Sequence, residues 1–251
     1  MTEAVLRAQL VALADAARKG LEAMTPFVSN PAFSLQPFLP CAHYVQLGFE
    51  RRTDEARTPT PVDVALELAM LRQPFRRDFG YVLVSDEVME GLAAALRPRG
   101  PMLDVGCGSG YLAAELKRRG LSTYAVDSVD PSGRREPSLG YPVRARFQLD
   151  TVGNAATFVD PRFGSVLLTW PLLGRPMALE VASAMLPGQW LVFEGEPEGG
   201  CTADGAFYQW MNDASAWQPL PEVAASLNAA HVTWPTLNDS WHVWERLPSS
   251  P

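Results

Sequence analysis

Cysteine is scarce in this chain: 3 of its 251 residues, at Cys41, Cys107 and Cys201. The three are far apart, odd in number and outside any metal-ligand spacing, which argues against a disulfide framework or a zinc site. No metal centre is expected. Lysine is scarcer still, confined to Lys19 and Lys117, and the formal net charge is −7. Nonspecific nucleic-acid binding relies on Lys and Arg to neutralise phosphates, so nucleic acid is not an expected partner. No stretch approaches the roughly 20 apolar residues that cross a bilayer. The opening Met1-Thr-Glu-Ala-Val-Leu-Arg7 carries early charge and no long apolar core, unlike a secretory signal. A cytoplasmic protein with no membrane partner is expected, and nothing in the chain fixes its oligomeric state.

What is present is an ordinary globular composition, 47% hydrophobic and 20% charged, enough to bury a core. Residues 3–24 carry Val5, Leu6, Leu10, Leu13, Ala16 and Leu21 at helical spacing. Pro26, Pro31, Pro37 and Pro40 then preclude a long helix and suit a segment wrapped over a surface. Residues 62–71 read as a helix, and another begins after Ser85-Asp86 and runs to about Leu96. From Pro101 onward, short apolar runs alternate with helical segments, the pattern of a βαβ sheet. Strands are expected near 101–105, 121–126, 143–149, 164–169 and 188–194, with helices near 109–119, 175–186 and 204–213. Ser240-Trp-His-Val-Trp-Glu-Arg246 alternates as a last strand, and a further strand falls somewhere in 216–234. The fold class is therefore α/β: a Rossmann-like, seven-stranded, mostly parallel sheet (79–251) behind an N-terminal helical and proline-rich cover (1–78).

One stretch carries the chemistry. Met102-Leu-Asp104-Val-Gly106-Cys-Gly108-Ser-Gly110 is an apolar run ending in an acid, followed by three alternate glycines and a helical pattern. Glycines permit positive φ and close approach of a ligand, and the N–H groups opening the next helix favour an anionic group. In open α/β sheets ligands lie outside the carboxyl ends of the strands. Four such ends carry suitable residues: the glycine loop, Asp127, Asp150, and Thr169-Trp170-Pro171-Leu172. Asp127 lies about 20 residues past the first glycine, where folds of this kind place a carboxylate on a ribose diol. A dinucleotide site would show G-x-G-x-x-G; here the third glycine arrives one residue early. Asp104 is also suited to capping the glycine loop through its backbone amides.

Asp104 with Gly106, Gly108 and Gly110 resembles motif I of class I S-adenosylmethionine-dependent methyltransferases, loosely D/E-x-G-x-G-x-G. The resemblance implies S-adenosylmethionine as cofactor, Asp127 on the ribose hydroxyls and Asp150 near the adenine amino group. Trp170-Pro171-Leu172-Leu173 falls where many amine methyltransferases carry Asn/Asp-Pro-Pro-Tyr/Phe, and it departs from that pattern at three of four positions. The region 76–251 is also similar to a group of small microbial methyltransferase-like proteins. These carry a Trp-Pro-Pro corner after the fourth strand, and here Leu172 replaces the second proline. They also carry a Gly-Glu-x-x-Gly-Gly-Cys-Thr-x-Asp run, matched by Gly195, Glu196, Gly199, Gly200, Cys201, Thr202 and Asp204. An aromatic after glycine ahead of motif I, Gly80-Tyr81, fits as well. This likeness implies a fold and a cofactor and no particular substrate.

The cofactor set is thus Tyr81, Asp104, Gly106, Gly108, Gly110, Asp127, Asp150, Trp170 and Pro171. A tryptophan face attracts a cation, so Trp170 suits a sulfonium. If the acceptor must lose a proton, Glu196 and His43 are the candidate bases, with Glu194 on the same strand face as Glu196. Cys201 has no neighbouring His to activate it, and His231 and His242 read as structural. A small-molecule methyl acceptor, reacting at N or O, is the expected partner. The alternative is a protein of this fold that binds the cofactor without methyl transfer.

Overall fold

The computed structural model describes residues 76, 79–83, 85–128, 149–231, 233–234 and 237–248. The expected N-terminal cover with its helices, the boundary at 78 and His43 lie outside the described residues, as does the expected strand over 143–148. The chain divides into two compact units, and the one carrying the sheet comprises Arg77–Val82, Glu87–His231 and Asn238–Pro251.

In chain order the elements are α1 (Asp86–Leu96), β1 (Met102–Val105), α2 (Tyr111–Arg118), β2 (Thr123–Asp127), β3 (Thr151–Val152), β4 (Ser165–Thr169), α3 (Met177–Ala184), β5 (Trp190–Gly195), α4 (Gly205–Met211), β6 (Trp217–Pro219), α5 (Pro221–Ala229) and β7 (Ser240–Arg246). The strands form one seven-stranded sheet in the order β3-β2-β1-β4-β5-β7-β6. β1 to β5 pair in parallel, and β7 runs antiparallel to both β5 and β6. This is the expected Rossmann-like, mostly parallel sheet. Residues 149 and 150 are not strand; β3 begins at Thr151 and has two residues.

Strands flanked by helices on both faces read as continuous apolar runs, and β1 is buried at all four residues. One core cluster gathers Leu103, Val105, Val126, Val166, Leu168, Leu191, Phe193 and Trp217 from the sheet with Val181, Ala182, Met185 and Phe207. Gly164, just before β4, is set by close approach: a Cβ there would stand 1.7 Å from the Arg99 carbonyl oxygen. Among the described residues, no helix is long and apolar enough to cross a membrane.

The chain runs outward from β1 to β2 and β3 on one side, then crosses back to β4 on the other side of β1. That reversal opens a crevice outside the carboxyl ends of β1 and β4, where ligands of such sheets sit. The glycine loop leaves β1 there, and the Trp170 corner leaves β4 beside it.

Candidate functional site

The glycine loop has the backbone its composition calls for. φ is +64° at Gly106, +57° at Gly108 and +78° at Gly110, all left-handed, a region that L side chains adopt only at a cost. Gly106 also touches α3: a Cβ there would meet the Met177 Cε at 3.1 Å. Gly110, the N-cap of α2, has no side chain to bond the helix; Ser109 Oγ accepts the Tyr111 N–H at 3.4 Å, and the other N–H groups of that first turn suit an anionic group.

The acids around the loop have distinct partners. Asp127 closes β2, is buried, and its Oδ2 accepts the Gly108 N–H at 2.7 Å. The loop amide thus goes to Asp127, whereas Asp104 makes no such cap. Both Asp104 carboxyl oxygens are fully buried without a hydrogen-bond partner. Burial first, and the neighbouring Asp127 charge second, raise its pKa to about 7, against a smaller pull from Lys117. Asp104 is therefore half protonated near neutrality, a buried acid responsive to any cation brought beside it. Asp150 stands level with Ala125, two residues back from the end of β2. Its Oδ2 accepts the Ala125 N–H and the Lys117 ammonium, each at 2.8 Å. Those two bonds tie it to the side of the sheet.

Trp170 follows β4 with φ of +47°, an outlier for a bulky residue and a mark of local strain. Its ring stacks on Tyr81, centroids 5.4 Å apart and planes within 11°. Two backbone bonds hold the corner: Trp170 N–H to the Glu194 carbonyl and Ala203 N–H to the Pro171 carbonyl, both 2.8 Å. A further β-bridge joins Leu172 to Thr202. The Trp170-Pro171 corner and the glycine-rich run after β5, expected as separate motifs, are one bonded structure.

Within that run Glu196 acts as a staple. Its Oε2 accepts the Cys201 N–H at 2.7 Å and its Oε1 the Asn238 N–H at 3.2 Å. Thr202 Oγ1 receives the Glu196 N–H at 2.9 Å and donates to the Glu196 carbonyl at 3.1 Å, and Tyr208 Oη donates to the same carbonyl. Both carboxylate oxygens are occupied by backbone donors, so the side chain expected as a base serves the loop. α4 is capped instead by Asp204, which accepts the Phe207 N–H at 3.1 Å.

A second cluster lies beside this staple and includes Asp239, which the sequence pattern does not single out. Glu194, on β5, is fully buried, and its carboxyl oxygens make no close hydrogen bond. His231 and Asp239 meet it there: His231 Nε2 is 3.9 Å from Glu194 Oε1 and 3.7 Å from Asp239 Oδ1. The three ligand-capable atoms lie within 4.8 Å of one another. Burial, then the Asp239 charge, push Glu194 well above the ordinary carboxylate range, while the Trp170 indole N–H opposes them. The available signal was an acid inside the apolar run Trp190-Leu-Val-Phe-Glu194, which needs a buried partner.

Cys107 is not poised as a nucleophile: burial and the surrounding acids push its thiol far up. Cys201 is exposed. His242 stacks on Trp244, centroids 5.4 Å apart, and burial lowers its pKa.

No family model matches the chain, and no curated protein matches it. Solved structures do resemble it. A SAM-dependent methyltransferase from Methanosarcina mazei is 14% identical, over 60% of this chain and 93% of that one, with a TM-score of 0.37. The magnesium protoporphyrin IX methyltransferase of Synechocystis, solved with bound SAM, is 15% identical over 71% and 96%, TM-score 0.39. An rRNA methylase from Streptococcus thermophilus is 16% identical over 66% and 99%, TM-score 0.38. Identities and scores this low leave the functional case to the chain's own residues.

Proposed function

We propose that this protein is an S-adenosylmethionine-dependent methyltransferase acting on an N or O atom of a small molecule. The observation that carries the reading is the loop between β1 and α2. Three left-handed glycines follow a buried acid at the sheet's switch point, and Asp127 closes the neighbouring strand onto the loop. The early third glycine of that loop favours this cofactor over a dinucleotide.

The residues present fit the cofactor. Asp104 is a buried acid whose oxygens have no hydrogen-bond partner, suited to the field of a cationic ligand. Gly106 and Gly108 let the backbone come close, and the N-terminus of α2 suits a carboxylate. Asp127 stands at the strand end from which a ribose diol is held. The parallel Tyr81 and Trp170 rings offer π faces to a sulfonium. When bound, the cofactor supplies an already electrophilic methyl group. The chain's task is then to orient the acceptor and exclude water; orientation alone is worth about 7–11 kcal/mol in favourable cases. The acidic balance of the chain, −7 overall, supports a neutral or cationic acceptor over a polyanion.

One observation favours the second reading, a cofactor-binding protein that transfers no methyl. Glu196, the candidate base that lies among the described residues, has both carboxylate oxygens on backbone N–H groups. Acceptors that carry no proton to be removed are compatible with the first reading. Formation of S-adenosylhomocysteine across a panel of small amines, phenols and carboxylates tests it. Turnover with any acceptor excludes the second reading. Cofactor binding without turnover across the panel supports it, and NADH binding in place of S-adenosylmethionine refutes both.

A further inference from the structure

Glu194, His231 and Asp239 bring two buried carboxyls and an imidazole together on the far side of the Trp170 corner. A divalent cation is the first occupant to consider, because two carboxylates and a histidine are a metal-ligating set. The hydrogen bonding of His231 speaks against it. Trp241 Nε1 lies 3.1 Å from His231 Nδ1, and an indole N–H only donates. His231 Nδ1 must accept, so the imidazole is neutral and its proton sits on Nε2. That N–H points at Glu194 and Asp239, where a metal would need a lone pair. Metal-bound histidines instead donate from their second nitrogen.

We propose that Glu194, Asp239 and His231 hold a single proton between the two carboxyls and thereby position the Trp170 ring. The arrangement follows from charge and burial. The side chains of Glu194 and Asp239 are both sealed from solvent, and two like charges this close in a dry site do not both ionise. One carboxyl stays neutral while the other keeps its charge, with the His231 Nε2–H facing the pair from 3.7 and 3.9 Å. Besides these three, the groups acting on Glu194 are the like-charged Glu196 and the Trp170 indole. Trp170 is bonded to Glu194 at its backbone at 2.8 Å, and the Glu194 charge and the indole N–H act on one another across the buried corner. Removing the shared proton creates a second buried negative charge beside that N–H. The strained corner and its stack on Tyr81 then have to adjust. Glu194, Asp239 and His231 are positioning residues, not catalytic ones. Their bearing on catalysis rests on the methyl-transfer reading, in which Trp170 borders the methyl group.

The test uses the full chain labelled with ¹⁵N-tryptophan, which yields indole N–H signals for the 7 tryptophans. Trp170→Phe assigns the Trp170 signal, and the wild type is titrated from mildly acid to mildly alkaline pH without cofactor. The Trp170 signal is expected to shift with a single midpoint. Glu194→Gln, a neutral isostere of the protonated acid, holds the signal at its acid position throughout. Asp239→Asn, which removes the like charge, moves the midpoint to lower pH and stands in if Glu194→Gln does not fold. A flat wild-type titration overturns the proposal, as does an unchanged titration in the substituted proteins. Stoichiometric uptake of zinc or manganese that His231→Ala abolishes overturns it in favour of a metal. Because the readout needs no cofactor, a protein that titrates as expected but does not bind S-adenosylmethionine refutes the proposed function and leaves the triad standing.

Discussion

Asp104 gives the most quantitative handle on this site. Its carboxyl is fully buried with no hydrogen-bond partner, and its pKa rises from 3.8 to about 7. The folded protein therefore keeps a proton that the unfolded chain releases as pH rises. The group's contribution to stability is fully present below 3.8 and is lost as pH climbs through about 7. Each pKa unit corresponds to about 1.4 kcal/mol, so the shift amounts to about 4 kcal/mol of stability lost across that window. Asp104→Asn removes the titration while keeping the shape. Its buried amide carries a pH-independent cost of its own, about 1–3 kcal/mol, which displaces the whole curve without changing its slope. Urea unfolding of both proteins at a series of pH values reads the difference. The gap between them should change by about 2–3 kcal/mol in favour of the substituted protein between about pH 5 and about pH 8. The slope that remains in Asp104→Asn belongs to other groups, Glu194 foremost. Parallel curves would refute the assignment of Asp104 as a buried, unpaired acid.

Other substitutions probe different parts of the account. Gly164→Ala places a Cβ 1.7 Å from the Arg99 carbonyl, so the backbone must move; a loss above about 4 kcal/mol, or no soluble protein, is expected from chemical denaturation. Glu196→Ala strands the Cys201 and Asn238 N–H groups and should cost about 2–4 kcal/mol of stability, whatever it does to turnover; a stability change below about 0.5 kcal/mol would contradict its role as a staple. Asp127→Ala removes the carboxylate that holds Gly108 and faces the proposed ribose site. S-adenosylhomocysteine affinity should fall at least tenfold by calorimetry, equivalent to about 1.4 kcal/mol, and unchanged affinity would remove Asp127 from the site.

The parts of this fold legible in the sequence are those whose environment is uniform. β1, β2, β4 and β5 are buried apolar runs, and β7 alternates along its length, so each lies within two residues of its expected place. α5 escaped notice because Leu227 is the only one of its residues that is buried, which leaves no apolar stripe to read. The glycine loop was legible because three positive φ values demand three glycines. The function of Glu196 was not, because it depends on β5 ending at Gly195 and on an amide 42 residues away. The triad was hidden for the same reason. Glu194, His231 and Asp239 converge only because β7 returns antiparallel beside β5, a pairing that no local pattern announces.

Calorimetric titration of the full chain with S-adenosylhomocysteine, alongside NADH as a control, bears most directly on the central claim. One equivalent should bind, weakened by Asp127→Ala, with no heat from NADH. No binding at millimolar S-adenosylhomocysteine, or saturable binding of NADH instead, would contradict the account.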